Sequence, residues 1–238
     1  VMSGLWLGLG VGAIIGLIAG MLMRNNVISV PGWEGLYSMG PFTFNAVRFL
    51  LGGVALLPLV RILGTRGGAT GGPAKAFGPR GRLAAGAGAG AVLFLGASLQ
   101  QGGLVYTTAG KAGFITGLYV VLVPLLGLVF AQRPGARVWI GAGAAVAGLY
   151  LLSVREGFSV GRGDLLVLGS ALFWAVHVQL IGWLVRRVGA VQLACAQFLT
   201  CSALSGVAAL LFETVSPAGL RGAAVPILYA GLASTAGG

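Results

Sequence analysis

Runs of about 20 apolar residues, separated by short breaks that hold nearly all the charge, recur along the whole chain. That length is what an α-helix needs to cross the hydrocarbon core of a bilayer. Cutting the sequence at its charged and Pro/Gly-rich breaks predicts spans near 4–23, 42–60, 83–103, 112–131, 138–153, 164–184 and 191–212, with an eighth opening at 225. A membrane β-barrel would need alternating segments of about 10 residues, and these runs are continuous. Composition agrees: Lys+Arg number 15 and Asp+Glu 4 in 238 residues, where a soluble chain of this size carries about 60 charged side chains. The expectation is an all-α integral membrane protein, a polytopic helical bundle. The first run has neither the basic n-region nor the small-residue cleavage site of a signal peptide, so it is read as a retained helix. Two cysteines, Cys195 and Cys201, lie in one apolar run on different helix faces, which excludes a disulfide framework.

The net charge of +11 would point a soluble protein toward nucleic acid, but in a membrane protein basic residues mark cytoplasmic loops. With the N-terminus inside, the inner loops hold Arg61, Arg66, Lys75, Arg80, Arg82, Arg133, Arg137, Arg186 and Arg187 and no acid. The outer loops hold Arg24, Lys111, Arg155, Arg162 and Arg221 together with Glu34, Glu156, Asp164 and Glu213. This distribution predicts a cytoplasmic N-terminus and no nucleic-acid partner. The longest inner loop, 61–82, is rich in Gly and charge and is expected to be a flexible linker, with a lipid-headgroup or regulatory patch as the alternative.

NAVRFLLGGVALLPL (45–59) aligns at a constant offset with ACAQFLTCSALSGVA (194–208), pairing Phe49 with Phe198, Leu50 with Leu199 and Arg48 with Gln197. Each stretch is the second span of a five-span unit. Five is odd, so the second unit enters the membrane inverted, as in many secondary transporters whose substrate site lies between the repeats. The expected units are 1–153, complete, and 154–238, incomplete, with about seven to eight of ten helices present and the chain truncated inside the eighth span.

The string QQGGLVYTTAGKAGFITGLYVVLVPLLGL (100–128), the NAVRFLLG start of the second span and GDLLVLGSALFWAVHV (163–178) resemble the drug/metabolite transporter superfamily, in its EamA branch. The resemblance covers nearly the whole chain. It implies ten helices in two inverted five-helix repeats, cytoplasmic termini, a bacterial-type inner-membrane location and export of amino acids or other small metabolites.

Charged and polar residues at membrane depth are the candidate site. Arg48 is the basic residue well inside a span; it could bind a substrate carboxylate with Asn45 one turn away, or snorkel to headgroups and bond neighbouring carbonyls. His177, the single histidine, follows Trp174 by three positions on one face, so imidazole and indole could meet substrate together, or His177 could be a buried structural bond. Gln197, Gln100, Gln101, Thr116 and Tyr119 add polar groups that singly read as interhelical glue and together suit a polar cavity. Arg48, Gln101, Tyr119, Trp174, His177 and Gln197 are thus the expected substrate-binding residues.

Small-residue ladders are read as close packing: Gly4 to Gly20 at every fourth position, Gly113/Gly117, Gly141/Ala145 and Ala144/Gly148. Gly86, Gly88 and Ala91 match a dinucleotide fingerprint by letter only, since no strand precedes them. Pro58 and Pro124 fall inside spans, where each removes a backbone bond. Lys111 and Tyr106 flank an outer turn, Lys111 as an interfacial anchor or a gate. There is no P-loop, no metal-ligand spacing and no carboxylate deep in a span, so neither a cofactor nor a catalytic group is expected.

The function these features support is secondary-active or facilitative transport of small organic metabolites, with a small-molecule substrate and the lipid bilayer as partners and homodimerisation left open. A membrane-embedded enzyme using His177 as base, or a non-transporting scaffold, are the alternatives.

Overall fold

The computed structural model describes residues 39–64, 77–153, 161–215 and 217–236. Their helices are α1 (Pro41–Gly64), α2 (Pro79–Leu104), α3 (Ala109–Gly117), α4 (Tyr119–Val129), α5 (Ala136–Ser153), α6 (Arg162–Val188), α7 (Ala190–Phe212), α8 (Pro217–Gly222) and α9 (Ala224–Leu228), followed by a π-helical segment, Tyr229–Ala236. No strand occurs among the described residues. A backbone in lipid must satisfy its N–H and C=O groups within its own segment, and continuous apolar runs do so as helices. Among the described residues five stretches are long and apolar enough to cross a membrane: Pro41–Ile62, Pro79–Leu104, Gly110–Val129, Arg162–Val188 and Ala190–Phe212. The chain is a multi-pass helical membrane protein.

The expected span 4–23, with its ladder from Gly4 to Gly20, lies outside the described residues. So does the middle of the expected linker. Both ends of that linker correct the sequence reading, because Arg61 sits in the last turn of α1 while Arg80 and Arg82 belong to the first turn of α2. Pro79 explains the early start: at a first helical position its missing N–H costs nothing and its φ is already helical.

The described residues divide into two compact units, one running to Phe94 and resuming at Ile181, the other made of Leu95–Leu180. In the first, α1 and α7 lie antiparallel. Ser202 Oγ donates to Ala46 O at 2.8 Å, Cys195 Sγ donates to Gly53 O at 3.4 Å, and the Phe49 and Phe198 rings meet midway at 5.7 Å. In the register that pairs Phe49 with Phe198, Ala46 corresponds to Cys195 and Gly53 to Ser202. The two hydrogen bonds therefore join the same pair of positions twice, with the helices exchanged.

Glycine makes this approach close, since lipid supplies no hydrophobic force between helices and contact must come from backbone proximity. A Cβ at Gly53 would lie 2.8 Å from Leu199 Cδ2, one at Gly86 2.4 Å from Ala196 Cβ, and one at Gly90 2.5 Å from Thr200 Cβ. These are the small-residue seams of the first unit. By contrast, Gly141 and Gly148, expected to pack, have no described residue within 4 Å of a built Cβ. Gly189 alone links α6 to α7 at φ +90°, a conformation that a residue with a Cβ adopts only under strain.

In the second unit Thr108 caps α3, its side chain accepting from Lys111 N at 3.2 Å. The α3–α4 run is interrupted at Leu118, just after Gly117, and Pro124 lies buried within α4. α4 ends where Ala131 takes φ 56° and Gln132 N reaches back to Gly127 O at 2.8 Å, with Pro134 barring continuation. The turn after α2 presses on the start of α6, for a Cβ at Gly163 would fall 2.7 Å from Tyr106 C.

Candidate functional site

In the second unit the polar side chains of α2, α3 and α6 close on one another. Trp174 Nε1 donates to Gln100 Oε1 at 3.2 Å, and Gln100 Nε2 donates to Thr116 Oγ1 at 3.3 Å, beside the α3–α4 interruption. His177 stands edge-on to Trp174, with ring centroids 5.9 Å apart at 89°. Both rings are half-buried. Further along α6, Gln179 Nε2 donates to Val123 O at 2.8 Å and Gln179 Oε1 accepts from Gln132 at 3.0 Å. Pro124 has no N–H to give Val120 O, and the Gln179 bond ties α6 to α4 at the residue just before that proline.

The sequence-predicted Trp174 and His177 are thus brought together. Gln100 makes the bonds to Trp174 and Thr116, while its neighbour Gln101 stays half-buried on α2 outside that chain. Tyr119 opens α4, half-buried, three positions after Thr116.

At the end of this unit a cavity of about 320 Å³ is lined by Tyr106, Thr107, Thr108, Lys111 and Asp164 among others. Asp164 is held rather than free: Thr107 Oγ1 donates to Oδ1 and Gly161 N donates to Oδ2 at 2.8 Å. A carboxylate three positions into a helix that accepts from the backbone preceding it is half of a capping box, so this pairing stabilises the start of α6. Lys111, expected as anchor or gate, lines the same cavity.

The first unit holds Arg48 and Gln197. Gln197 is buried on α7, and its carbonyl oxygen is 2.7 Å from a Cβ built at Gly90 on α2. Arg48 sits on α1 with its guanidinium carbon 4.5 Å from the Phe49 ring centroid and 5.5 Å from that of Phe44, both within cation–π range. Its Nε is buried without a hydrogen-bond partner among the described residues. One turn earlier, Asn45 is 0% exposed and neither atom of its amide has a partner among the described residues; on α7, Ser205 is 0% exposed and its hydroxyl meets no oxygen or nitrogen partner among them. Sequence reasoning named Asn45 beside Arg48 and missed Ser205, because a serine in an apolar helix ordinarily bonds its own backbone. Thr200 does so, donating to Ala196 O at 2.9 Å.

Glu213 was missed altogether, having been counted as an outer-loop charge. Just past the end of α7, its carboxylate accepts from Phe42 N at 2.8 Å, Thr43 N at 2.8 Å and Thr43 Oγ1 at 2.7 Å. The first N–H groups of a helix have no intrahelical partners, and Gly40 before α1 has no side-chain oxygen to offer them. A signal was available: a Gly-Pro start with no capping residue leaves donors that another segment must satisfy.

Comparison with known proteins adds the family. Residues 3–154 match the EamA-like transporter family. A protein of Archaeoglobus fulgidus described as an uncharacterized transporter is 37% identical over 147 residues, which is 61% of this chain and 41% of that one. The matched stretch thus spans about two fifths of that relative's length. A solved crystal structure superposes with a TM-score of 0.64 at 24% identity, covering 96% of this chain and 75% of that one, and shows the same fold.

Proposed function

Because this chain belongs to the EamA-like transporter family, we propose that it is a secondary-active or facilitative transporter, an exporter of small organic metabolites such as amino acids, working by alternating access in a bacterial-type inner membrane. The family match over 3–154 carries this reading. Two inverted five-helix repeats, of which this chain holds the first and part of the second, are the proposed architecture. Their support is the exchanged pair of α1–α7 hydrogen bonds around Phe49 and Phe198. A cytoplasmic N-terminus is supported by the nine basic residues of the acid-free inner loops.

Arg48 and Gln197 in the first unit, and Gln101, Tyr119, Trp174 and His177 in the second, are the side chains we assign to substrate. Trp174 and Tyr119 supply flat apolar surface, His177 and the glutamines supply hydrogen bonds, and Arg48 supplies charge. The test is flux: protein reconstituted in liposomes is expected to release a preloaded amino acid or metabolite down its gradient. Absence of flux across a broad panel of amino acids and metabolites, with the protein shown to be folded and inserted, overturns the proposal. Cysteines placed at 101 and 177 are expected to react with a water-borne thiol reagent, whereas a scaffold would seal them.

A further inference from the structure

We propose that the α1–α7 seam of the first unit is a carboxylate subsite, in which Arg48, Asn45 and Ser205 grip the singly charged end of a small organic molecule. The inference rests on the transport reading and gives it a substrate class.

Placement comes first. Ser202 Oγ bonds Ala46 O at 2.8 Å, and in this antiparallel pair Ser205 lies about one turn beyond that bond in one direction and Arg48 about half a turn beyond it in the other. Cys201, one turn before Ser205, is within electrostatic reach of the Arg48 guanidinium. Arg48, Asn45 and Ser205 therefore belong to one stretch of the seam.

Their chemistry comes next. Asn45 and Ser205 are wholly buried, and Asn45 Nδ2 and Oδ1, Arg48 Nε and Ser205 Oγ have no oxygen or nitrogen hydrogen-bond partner among the described residues. Buried polar groups are almost always partnered, so four unpartnered atoms together mark a place where something else completes the bonding. The charge is uncompensated too. Among the described residues the acids are Asp164, bound to Thr107 and Gly161, and Glu213, bound to Phe42 and Thr43. Between 41 and 60 and between 190 and 212 Arg48 is the sole charged residue. Arg48 is half-buried with its Nε sealed from solvent, a setting that favours an anion beside it, and one cation matches a single negative charge rather than a dianion. Arg48 Nε–H, the Asn45 amide N–H and the Ser205 hydroxyl are donors, and a carboxylate offers about four lone-pair sites to receive them. Asn45 Oδ1 remains as an acceptor for an ammonium or hydroxyl next to that carboxylate. The ligand reaches these buried atoms when the seam opens during the transport cycle.

Thermal unfolding of the purified full chain in detergent reads the subsite directly. Sodium propionate is the probe; propionamide is its neutral isostere, and sodium chloride at equal ionic strength controls for salt. Propionate at ten times its half-effect concentration is expected to raise Tm by about 3–5 °C, with neither control doing so. Arg48→Lys, which keeps the charge and loses the Nε–H fork, and Ser205→Ala, the mildest change at the site, are each expected to raise the half-effect concentration about tenfold or more. No propionate shift, an equal shift from chloride or propionamide, or an unchanged response in both variants overturns the subsite. Failure of the transport reading stays separate: a propionate shift without liposome flux removes the transporter and keeps the site, while flux without a propionate shift does the reverse.

Discussion

Polar side chains at membrane depth are treated in opposite ways by the two units. In the second, Trp174, Gln100 and Thr116 complete one another across three helices, Gln179 supports the backbone beside Pro124, and Asp164 is bound by Thr107 and Gly161. Apart from the hydroxyl of Ser98, no buried side-chain donor or acceptor is left over there among the described residues. In the first, Asn45, Arg48 and Ser205 leave four atoms open in one seam. That unit is not careless with polar groups in general, since Glu213 satisfies three donors at the end of the same seam. The closed network ties helices together; on the carboxylate proposal the open atoms of the first unit hold a place for a ligand. The contrast reads Gln100 and Thr116 as glue and supports the recognition role proposed for Arg48.

The largest effect should come from the best-satisfied group. Glu213→Ala removes a charge-assisted acceptor from two backbone N–H groups and a hydroxyl at the start of α1, where the helix dipole also favours a carboxylate. A loss of about 3 kcal/mol is expected, read as a fall in Tm of roughly 6–12 °C. Glu213→Gln, which keeps an acceptor oxygen without the charge, should lose about half as much. A Glu213→Ala protein as stable as wild type would show that the bonded end of the seam contributes nothing.

Gln100→Leu comes second. It leaves the Trp174 indole N–H and the Thr116 hydroxyl without their partner, costing about 2 kcal/mol. Trp174→Phe should cost about 1–2 kcal/mol, and the double variant less than the sum by about 1 kcal/mol. Thermal unfolding of the four proteins closes this cycle. Strict additivity would break the comparison, because the second unit's chain would then not be a chain.

The helices were legible in the sequence because a 20-residue apolar run in a membrane has little alternative, and each described span lies within a few residues of its expected position. The correspondence of Phe49 with Phe198 was legible too, although residue-level identity was weak, since a constant offset survives where identities do not. The choice between Gln100 and Gln101 was not. Neighbours on a helix point about 100° apart, and nothing in two identical residues tells which one faces α6. Ser205 was hidden for another reason. Thr200, Ser202 and Ser205 look alike in an apolar run, yet Thr200 bonds its own helix, Ser202 bonds α1, and Ser205 finds no oxygen or nitrogen partner among the described residues. Only packing distinguishes them.

That difference sets the smallest prediction, and the one that decides most. Ser202 and Ser205 lie one turn apart on α7, are both buried and lose the same single oxygen when replaced by Ala. Ser202→Ala removes a 2.8 Å bond and leaves Ala46 O without its side-chain donor, so stability should drop by about 1 kcal/mol, or roughly 2–4 °C. Ser205→Ala removes a hydroxyl that the ligand-free protein desolvates without return, and deleting an unsatisfied group of nearly unchanged shape is neutral or stabilising. Its Tm, measured without carboxylate present, should stay level or rise by up to about 2 °C. Opposite signs from two serines on one helix would separate a bond that builds the seam from a group kept open within it. Equal losses from both would mean that Ser205 is partnered after all, and the case for a ligand between α1 and α7 would then have to stand on Asn45 and Arg48.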